Sequence, residues 1–364
     1  MRATQVFSVV IGCLCGFTLV LASALSGRAA SFDDGVAAYQ RADYASAMRI
    51  WRELGEAGDI RAIYNLGVLF DLGQGVAPDP ARAAVYFHHA AQAGHTRAMS
   101  NYGRLLEQGR GVAKNEEQAA YWFHKAADSG LAEAQYNLGL MYERGRGVPK
   151  SERDAAAWYS RAAADGQSAA LERLGLLYRD GRGVPRNATR STLLLYGAAM
   201  DGRQDAIQAL EQMAPKQSPF SLFGQRLDSA ERASMRQALW AAKVSPVRED
   251  DKYACDIYRV AEAVPGASEL AACYGPQKAD KPAPLGFIKI DYPAPDAAQA
   301  QKIRAMVEKR FGSPTASEGA HSQLWNLGAV IVATQYAPDL QQMALMYMVP
   351  KVYHLTRQGH AETK

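Results

Sequence analysis

The chain has 364 residues, 48% of them hydrophobic, which is enough for two or three domains with cores of their own. Its 41 basic and 37 acidic residues give a net charge of +4 and are interspersed along the chain. This composition favours globular domains, and because there is no basic block we expect no nucleic-acid partner.

The first 29 residues have the layout of a secretory signal peptide. One arginine near the N-terminus is followed by an apolar run from about Val6 to Ala24 and then by small residues, so cleavage is expected after Ala24 or Ala29. The apolar run is nearly long enough to span a bilayer, and an uncleaved membrane anchor is the alternative. In both cases the rest of the chain leaves the cytoplasm. We therefore expect a periplasmic or otherwise exported bacterial protein, attached to the membrane only if the signal is uncleaved.

The next part of the chain contains a pattern that repeats every 36 residues, and we call this spacing the step. Alanines recur at this step, and so do the two glycines of a G-x-G-V motif. The G-R-G of residues 145–147 could begin a phosphate-binding loop, but such a loop occurs once in a domain and this motif occurs four times. We therefore interpret it as a turn between helices. The recurring residues are Ala62, Ala98, Ala134, Ala170 and Ala206; Gly73, Gly109, Gly145 and Gly181; and Gly75, Gly111, Gly147 and Gly183.

Each unit of this repeat predicts two short helices. In the first copy, Ala62, Leu66 and Leu69 form one apolar stripe, and Gly67 beside the stripe lets a neighbouring helix approach closely. After the G-x-G-V turn, the second helix carries a pair of bulky residues and ends before a glycine. The predicted N-caps of the second helices are Asp79, Asn115, Ser151 and Asn187. The bulky pairs are Tyr86–Phe87, Trp122–Phe123, Trp158–Tyr159 and Leu194–Leu195.

These motifs resemble the Sel-one-like repeat (SLR), a relative of the tetratricopeptide repeat. The unit A-x-x-x-L-G-x-x-Y-x-x-G-x-G-V, followed by the bulky pair and A-A-x-x-G, matches residues 62–205 in four full copies, and partial copies extend the region to 31–213. The resemblance implies an all-α, right-handed superhelical solenoid with a concave groove. It also implies a non-enzymatic monomer, without a cofactor, that binds a protein or peptide partner in the cell envelope.

One polar position in the first helices is the candidate for contact with a partner. An asparagine amide offers a donor and an acceptor, so a row of asparagines along the groove could hold an extended peptide. The same row could instead bond to neighbouring turns and hold the stack together. The position lies at the margin of the buried stripe, which favours this structural role. The residues concerned are Asn65, Asn101, Asn137 and Arg173.

Three other repeated features are interpreted as structural or solvent-exposed. His88 and His124 lie one repeat apart, with His89 and His95 nearby, but no carboxylate keeps a ligand spacing and we expect no metal site. The bulky pairs are expected to pack between repeats rather than to bind carbohydrate. The residue two places before each G-x-G varies in charge, as is typical of a solvated face. The residues at that position are Asp71, Glu107, Glu143 and Arg179.

After the repeats, Pro215 and Pro219 mark a linker, residues 214–221, and the pattern of the chain changes. A helix is predicted from Asp228 or Ser229 to about Lys243, and another has Ile303 on its apolar face. Between and after them lie segments that alternate as strands do. We therefore predict a smaller α+β domain with a mostly antiparallel sheet over residues 222–353, followed by a frayed tail at 354–364. The predicted strands are 252–260, 268–275, 286–293, 322–327, 329–335 and 342–349.

Cys255 and Cys273 are the cysteines that follow the predicted signal peptide, in a compartment that oxidises thiols. They fall in the first two predicted strands of the α+β domain. If these strands form a hairpin that turns near Pro265, the two cysteines lie opposite one another and can form a cross-strand disulfide. Otherwise they are buried thiols.

No known catalytic motif accompanies the repeats. The sequence contains no H-E-x-x-H, no G-x-S-x-G and no S-x-x-K followed by K-T-G. The consecutive carboxylates of residues 249–251 are interpreted as an acidic turn that enters a strand. We therefore predict an exported adaptor. Two alternatives remain: a cell-wall hydrolase with a catalytic C-terminal domain, and a periplasmic regulator of a membrane sensor kinase.

Overall fold

A computed structural model describes residues 30–214, 221–264, 266–277, 281–293, 295–318 and 321–361. The predicted signal peptide and most of the predicted linker lie outside these residues. Within them, no helix is both long and apolar enough to cross a membrane.

Eleven helices form the first part of the described chain. Most have 13 residues, and each packs against the next, as the repeat pattern predicts. The pairs α3–α4, α5–α6, α7–α8 and α9–α10 are the four predicted units, which confirms the helical repeat region. The helices are α1 (Phe32–Gln40), α2 (Tyr44–Glu56), α3 (Ile60–Leu72), α4 (Pro80–Gln92), α5 (Thr96–Gln108), α6 (Glu116–Asp128), α7 (Ala132–Arg144), α8 (Glu152–Ala164), α9 (Ser168–Asp180), α10 (Ala188–Met200) and α11 (Gln204–Met213).

The second helix of every unit begins at the predicted N-cap. The side chains of Asp79, Asn115, Ser151 and Asn187 each accept a hydrogen bond from the backbone N–H three residues later, at 2.9–3.2 Å. This bond satisfies one of the amides that the first turn of a helix leaves unpaired. The same position thus sets the start of α4, α6, α8 and α10.

A glycine in each first helix lets the second helix pack closely against it. A Cβ atom added to Gly67 would lie 2.7 Å from the ring of Phe87, and one added to Gly139 would lie 2.6 Å from the ring of Tyr159. Phe87, Phe123 and Tyr159 are fully buried. The second member of each aromatic pair therefore belongs to the core between helices, as predicted.

The rest of the described chain is an α+β unit with one antiparallel sheet of eight strands and a separate short hairpin, β1–β2. The order in the large sheet is β3-β4-β5-β6-β10-β9-β8-β7. Its elements, in chain order, are β1 (Ser221–Leu222), β2 (Gln225–Arg226), α12 (Arg232–Ala241), β3 (Ser245–Arg248), β4 (Cys255–Arg259), β5 (Glu269–Tyr274), β6 (Leu285–Pro293), α13 (Ala297–Phe311), β7 (Ala316–Glu318), β8 (Ser322–Asn326), β9 (Ile331–Ala337), β10 (Gln342–Met348) and α14 (Pro350–Ala361).

All six predicted strands are present, and β1, β2, β3 and β7 are strands that were not predicted from the sequence. Helix α12 begins at Arg232 with Glu231 as N-cap, because residues 227–229 form a short 3₁₀ turn instead of the first turn of this helix. The exposed edge strand β3 lacks the apolar alternation by which strands are recognised. Residues 354–361 are not a frayed tail but the end of α14, which packs against β5 and β6 and buries Thr356.

The two faces of the large sheet are covered differently. One face packs under α12 and α13, with Tyr258, Leu270 and Ile290 among its buried residues. The other face packs against α10 and α11, where Ile331 and Met348 join the core of the last repeat.

Polar contacts fix the junction between the sheet and the last repeat. The side-chain amide of Asn326 donates to the backbone carbonyl of Leu210 at 2.7 Å, and the hydroxyl of Tyr196 lies 3.3 Å from the sulfur of Met348. The α+β unit therefore covers the C-terminal end of the repeat stack, where a solenoid needs a cap to protect its exposed apolar face.

The predicted pairing of the cysteines is confirmed. Strands β4 and β5 are antiparallel neighbours in which Cys255 lies opposite Cys273, and a disulfide joins the two residues. Both cysteines are buried, so the disulfide is shielded from solvent.

Candidate binding groove

The first helices of the repeats are expected to line the concave side of the predicted solenoid. Burial raises the pKa of Tyr64, and the carboxylate of Glu133, two repeats away, raises it further. Tyr136 in α7 is in turn close enough to raise the pKa of Arg203, just before α11, although the hydrogen bonds from Arg203 to Glu172 contribute most. Both effects act between elements two repeats apart, so these side chains lie near one another, as expected for the concave side of the predicted superhelix. We call the exposed and half-buried residues of α3, α5, α7 and α9 on this side the inner face.

The predicted polar row lies on the inner face but is not uniform. Asn101 donates a long hydrogen bond of 3.4 Å to the hydroxyl of Tyr64, one repeat back. In the part of the chain that the structure describes, the side chains of Asn65 and Asn137 make no hydrogen bond.

Arg173 has a different environment from the asparagines of the row. Burial opposes its charge, but Glu143 and the hydroxyls of Tyr136 and Tyr159 together raise its pKa. Arg173 and Asn101 are thus tied to the previous repeat, and Asn65 and Asn137 are not.

A row member is bonded or not according to the residue just before the row position in the previous repeat. Tyrosines at 64 and 136 extend far enough to meet the polar residue of the next repeat, whereas Ser100 is short and buried and cannot reach Asn137. The series Tyr64, Ser100, Tyr136 and Glu172 is visible in the sequence, where it could have separated the two roles of the row.

A cavity of about 510 Å³ lies at the N-terminal end of the inner face. It is open to solvent and is bordered by α1, by α3 and by the segment that leads into α5. Its lining residues are Phe32, Arg61, Tyr64, Asn65 and residues 94–97.

The residue two places before each G-x-G was interpreted as part of a solvated face, and this interpretation was wrong. In the first three repeats this residue forms an ion pair with the next repeat. Asp71, Glu107 and Glu143 each accept from the arginine of the G-R-G turn in the next repeat: Arg110, Arg146 and Arg182 respectively. The side chains of Asp71 and Glu143 are only 7% and 10% exposed. The charge changes at Arg179 because no further G-R-G turn follows the last repeat.

Charge reversal at this inter-repeat pair should destabilise the solenoid, and a second reversal should repair it. Glu107→Arg removes the 3.0 Å contact with Arg146 and brings two guanidinium groups together, so we expect a loss of about 1–2 kcal/mol in the free energy of unfolding. Adding Arg146→Glu should recover more than half of the loss. Urea unfolding followed by circular dichroism measures both.

The matched control for this prediction is the exposed pair Arg49–Glu53 on α2. Its side chains are 64% and 59% exposed, so Glu53→Arg should change stability by less than about 0.5 kcal/mol. An equal loss at both sites, or no recovery in the double variant, would contradict a specific inter-repeat contact.

The histidines of the repeats pack against aromatic rings. His88 contacts Tyr102 and Trp122, and His124 contacts Trp158 and lies 2.9 Å from Asp128. Across the described ranges of the chain, no group of three or more His, Cys, Asp or Glu residues could hold a metal ion.

The carboxylates of residues 249–251 help to hold α12 against the sheet. Glu249 accepts from the indole N–H of Trp240 at 2.9 Å, and Asp251 contacts both Arg232 and Arg236. Beneath them lies Asp256, which is fully buried and bound by Arg236 through two hydrogen bonds of 2.8 Å.

Sequence reasoning missed Asp256, the centre of this network. The signal was the alternation in β4, which places Asp256 on the same buried face as Tyr258. A carboxylate at such a position requires a buried cationic partner.

Comparison with known proteins identifies the repeats. The family model for the Sel1 repeat matches four consecutive segments, residues 60–95, 96–131, 132–167 and 168–202. Among similar solved structures is a protective antigen present in uropathogenic Escherichia coli strains that displays an SLR fold. It is 32% identical, with a TM-score of 0.50, and the match covers 52% of this chain and 41% of that one.

A second similar structure is a Sel1 repeat protein from Oxalobacter formigenes, 27% identical with a TM-score of 0.48, covering 58% of this chain and 83% of that chain. This chain spans less than half of the length of the Escherichia coli antigen. The search of curated proteins found no match to this chain.

Proposed function

Because residues 60–202 are four Sel1 repeats, we propose that the protein is an exported scaffold that holds a protein or peptide partner on its inner face. Sel1 repeat proteins are typically protein-interaction scaffolds and are generally non-catalytic. The proposal adds the location in the cell envelope and the surface that is used.

The unbonded amide of Asn137 is the observation that most supports the inner face as the binding surface. A side-chain amide without a protein partner can donate to one backbone group of an extended peptide and accept from another. Tyr136 beside it and Arg173 one repeat further supply an aromatic ring and a positive charge on the same surface. Asn101, which is bonded to Tyr64, serves the stack instead.

Replacing Asn137 with alanine should separate recognition from architecture. A photo-crosslinking residue at position 140, one turn from Asn137 on α7, should capture a partner in intact cells, and Asn137→Ala should reduce that capture about tenfold, as expected for one or two lost hydrogen bonds. The melting temperature should not change. Mass spectrometry of the adduct and thermal unfolding provide the two readouts.

Two controls accompany this experiment. A crosslinker at the exposed Ala157 on the second helix α8 should capture no partner, and Asn101→Ala should lower the melting temperature. Equal capture from positions 140 and 157, or capture that is insensitive to Asn137→Ala, would argue against the inner face as the binding surface.

Export of the chain is supported by the layout of residues 1–29, which lie outside the described residues. Cell fractionation of a C-terminally tagged chain tests it. The protein should appear in the periplasmic or membrane fraction and remain in the cytoplasm when residues 2–24 are deleted. A cytoplasmic location of the full chain would contradict the proposal.

The arrangement of charges supports neither of the two alternatives, the cell-wall hydrolase and the regulator of a sensor kinase. The carboxylates that a cell-wall hydrolase would use at 249–251 already contact Trp240, Arg232 and Arg236 or, for Asp250, the backbone of Lys252. Recovery of glycan adducts alone, with turnover that depends on these carboxylates, would favour the hydrolase. Capture of a sensor kinase would identify the partner and keep the scaffold function.

A further inference from the structure

The cavity at the N-terminal end of the inner face contains an arginine without a counter-ion. Arg61 is paired through two contacts with Asp59, at 3.2 and 2.7 Å. Arg97, on the opposite wall, is exposed and makes no ion pair or hydrogen bond with any residue that the structure describes. Glu133 is near Tyr64 but does not line the cavity. Asp33 also acts on Arg61, so of the two arginines in the lining only Arg97 has no acidic partner among the described residues.

Two further groups in the lining can donate hydrogen bonds. The Nδ1 atom of His95 accepts from the backbone N–H of Ala98 at 3.2 Å, so the neutral imidazole carries its proton on Nε2. Burial, with a smaller effect from Arg97, lowers the pKa of His95 and favours this neutral form. The amide of Asn65 has no side-chain hydrogen bond within the described chain. The lining thus offers hydrogen-bond donors from His95 and Asn65 in addition to the guanidinium of Arg97.

The aromatic rings of the cavity already have stacking partners. The guanidinium of Arg61 lies 4.2 Å from the ring centre of Phe32, and the imidazole of His95 stacks on Tyr64 at 4.3 Å. These contacts hold both rings in place and occupy one face of each ring, which leaves less aromatic surface on which a sugar could stack. A peptide needs only the ring edges and the polar groups, so the cavity suits a peptide better than an anionic glycan.

We propose that this cavity binds the side-chain carboxylate of an acidic peptide segment. Arg97 pairs with the carboxylate, the Nε2–H of His95 donates to it, and the amide of Asn65 bonds the adjacent backbone. The inference rests on the proposed scaffold function and specifies the chemistry of the partner: an extended segment with aspartate or glutamate at its end nearest α1. The cavity is then the point at which the inner face sets the register of the bound chain.

Fluorescence anisotropy with the full chain tests the proposal. The probes are two labelled peptides of alternating alanine and glutamate or alanine and glutamine, with blocked termini. The glutamate peptide should bind about tenfold tighter than the glutamine peptide, and Arg97→Gln should remove that difference, as expected for the loss of one charge-assisted hydrogen bond. The matched control is Arg153→Gln on α8, another exposed arginine without an ion pair among the described residues. It should leave both affinities unchanged.

Several outcomes overturn the proposal. It fails if neither peptide binds, if the two peptides bind equally, or if Arg153→Gln weakens binding as much as Arg97→Gln. It also fails if polygalacturonate binds with a dependence on Arg97 that the glutamate peptide lacks, because the ligand is then a glycan. Thermal unfolding of Arg97→Gln excludes loss of the fold as the cause of weaker binding. If Arg97→Gln still captures the partner crosslinked at position 140, the acidic-peptide inference fails and the scaffold function stands.

Discussion

Gly147→Ala is expected to lower the free energy of unfolding by about 3 kcal/mol or more. Gly147 is the second glycine of a G-R-G turn and adopts a φ of 65°, which costs other residues about 1–2 kcal/mol. A Cβ atom at this position would also overlap the backbone carbonyl of Glu116 at the start of α6. Because the obstacle is backbone rather than a movable side chain, overpacking adds about 1–3 kcal/mol.

Gly166→Ala is the matched control for this prediction. Gly166 also has a positive φ, of 77°, but an added Cβ atom would meet nothing within 4 Å. Its substitution should cost only the conformational term, about 1–2 kcal/mol. Urea unfolding of the two variants measures the difference. Equal losses would show that close packing of the turn against the previous repeat is unimportant.

Asp256→Ala should destabilise the α+β unit by about 3–5 kcal/mol. The carboxylate is fully buried and receives two hydrogen bonds from Arg236, with Arg232 3.7 Å away. These bonds raise the pKa of Arg236. Removal of the acid leaves two largely buried guanidinium groups with only the exposed Asp251 as a counter-ion, which is far more costly than the loss of a surface pair.

Asp251→Ala tests whether burial is the cause. Asp251 contacts the same two arginines, at 3.3 and 2.9 Å, but its side chain is 68% exposed. The expected loss is below about 1 kcal/mol. Near-UV circular dichroism and thermal unfolding report on the α+β unit in both variants. A loss at Asp251 comparable to that at Asp256 would contradict the importance of burial.

Most of the repeat architecture could be predicted from the sequence because every unit has the same capping, packing and turn residues at the same positions. The N-cap at Asp79, the close approach at Gly67 and the G-x-G turn each recur at one step, and the structure shows all three. Six strands of the large sheet were equally predictable from their alternation, whereas the edge strands β3 and β7 were not. The helix at residues 350–361 was not predicted, because its main contacts are with β6 and α10, which are distant in the sequence.

The interactions between units were less visible than the units themselves. Glu107 and Arg146 lie 39 residues apart, and no neighbouring residue in the sequence indicates that either charge has a partner. Variation at the acidic position was therefore interpreted as exposure. Only the alignment of each acid with the arginine of the following turn reveals the pair. For the same reason, the polar row could not be divided into bonded and unbonded members from one position alone.

The acid–arginine pairs also bear on how the gene could change in length. Excision of residues 96–131 removes one whole unit and brings Arg146 into the place of Arg110, opposite Asp71, so the charges at the new junction still match. Loss or gain of a whole unit of this kind can therefore shorten or lengthen the middle of the array without leaving the turn arginine unmatched. The outer copies are not interchangeable in this way, because Gln74 replaces the arginine in the first and Arg179 replaces the acid in the last.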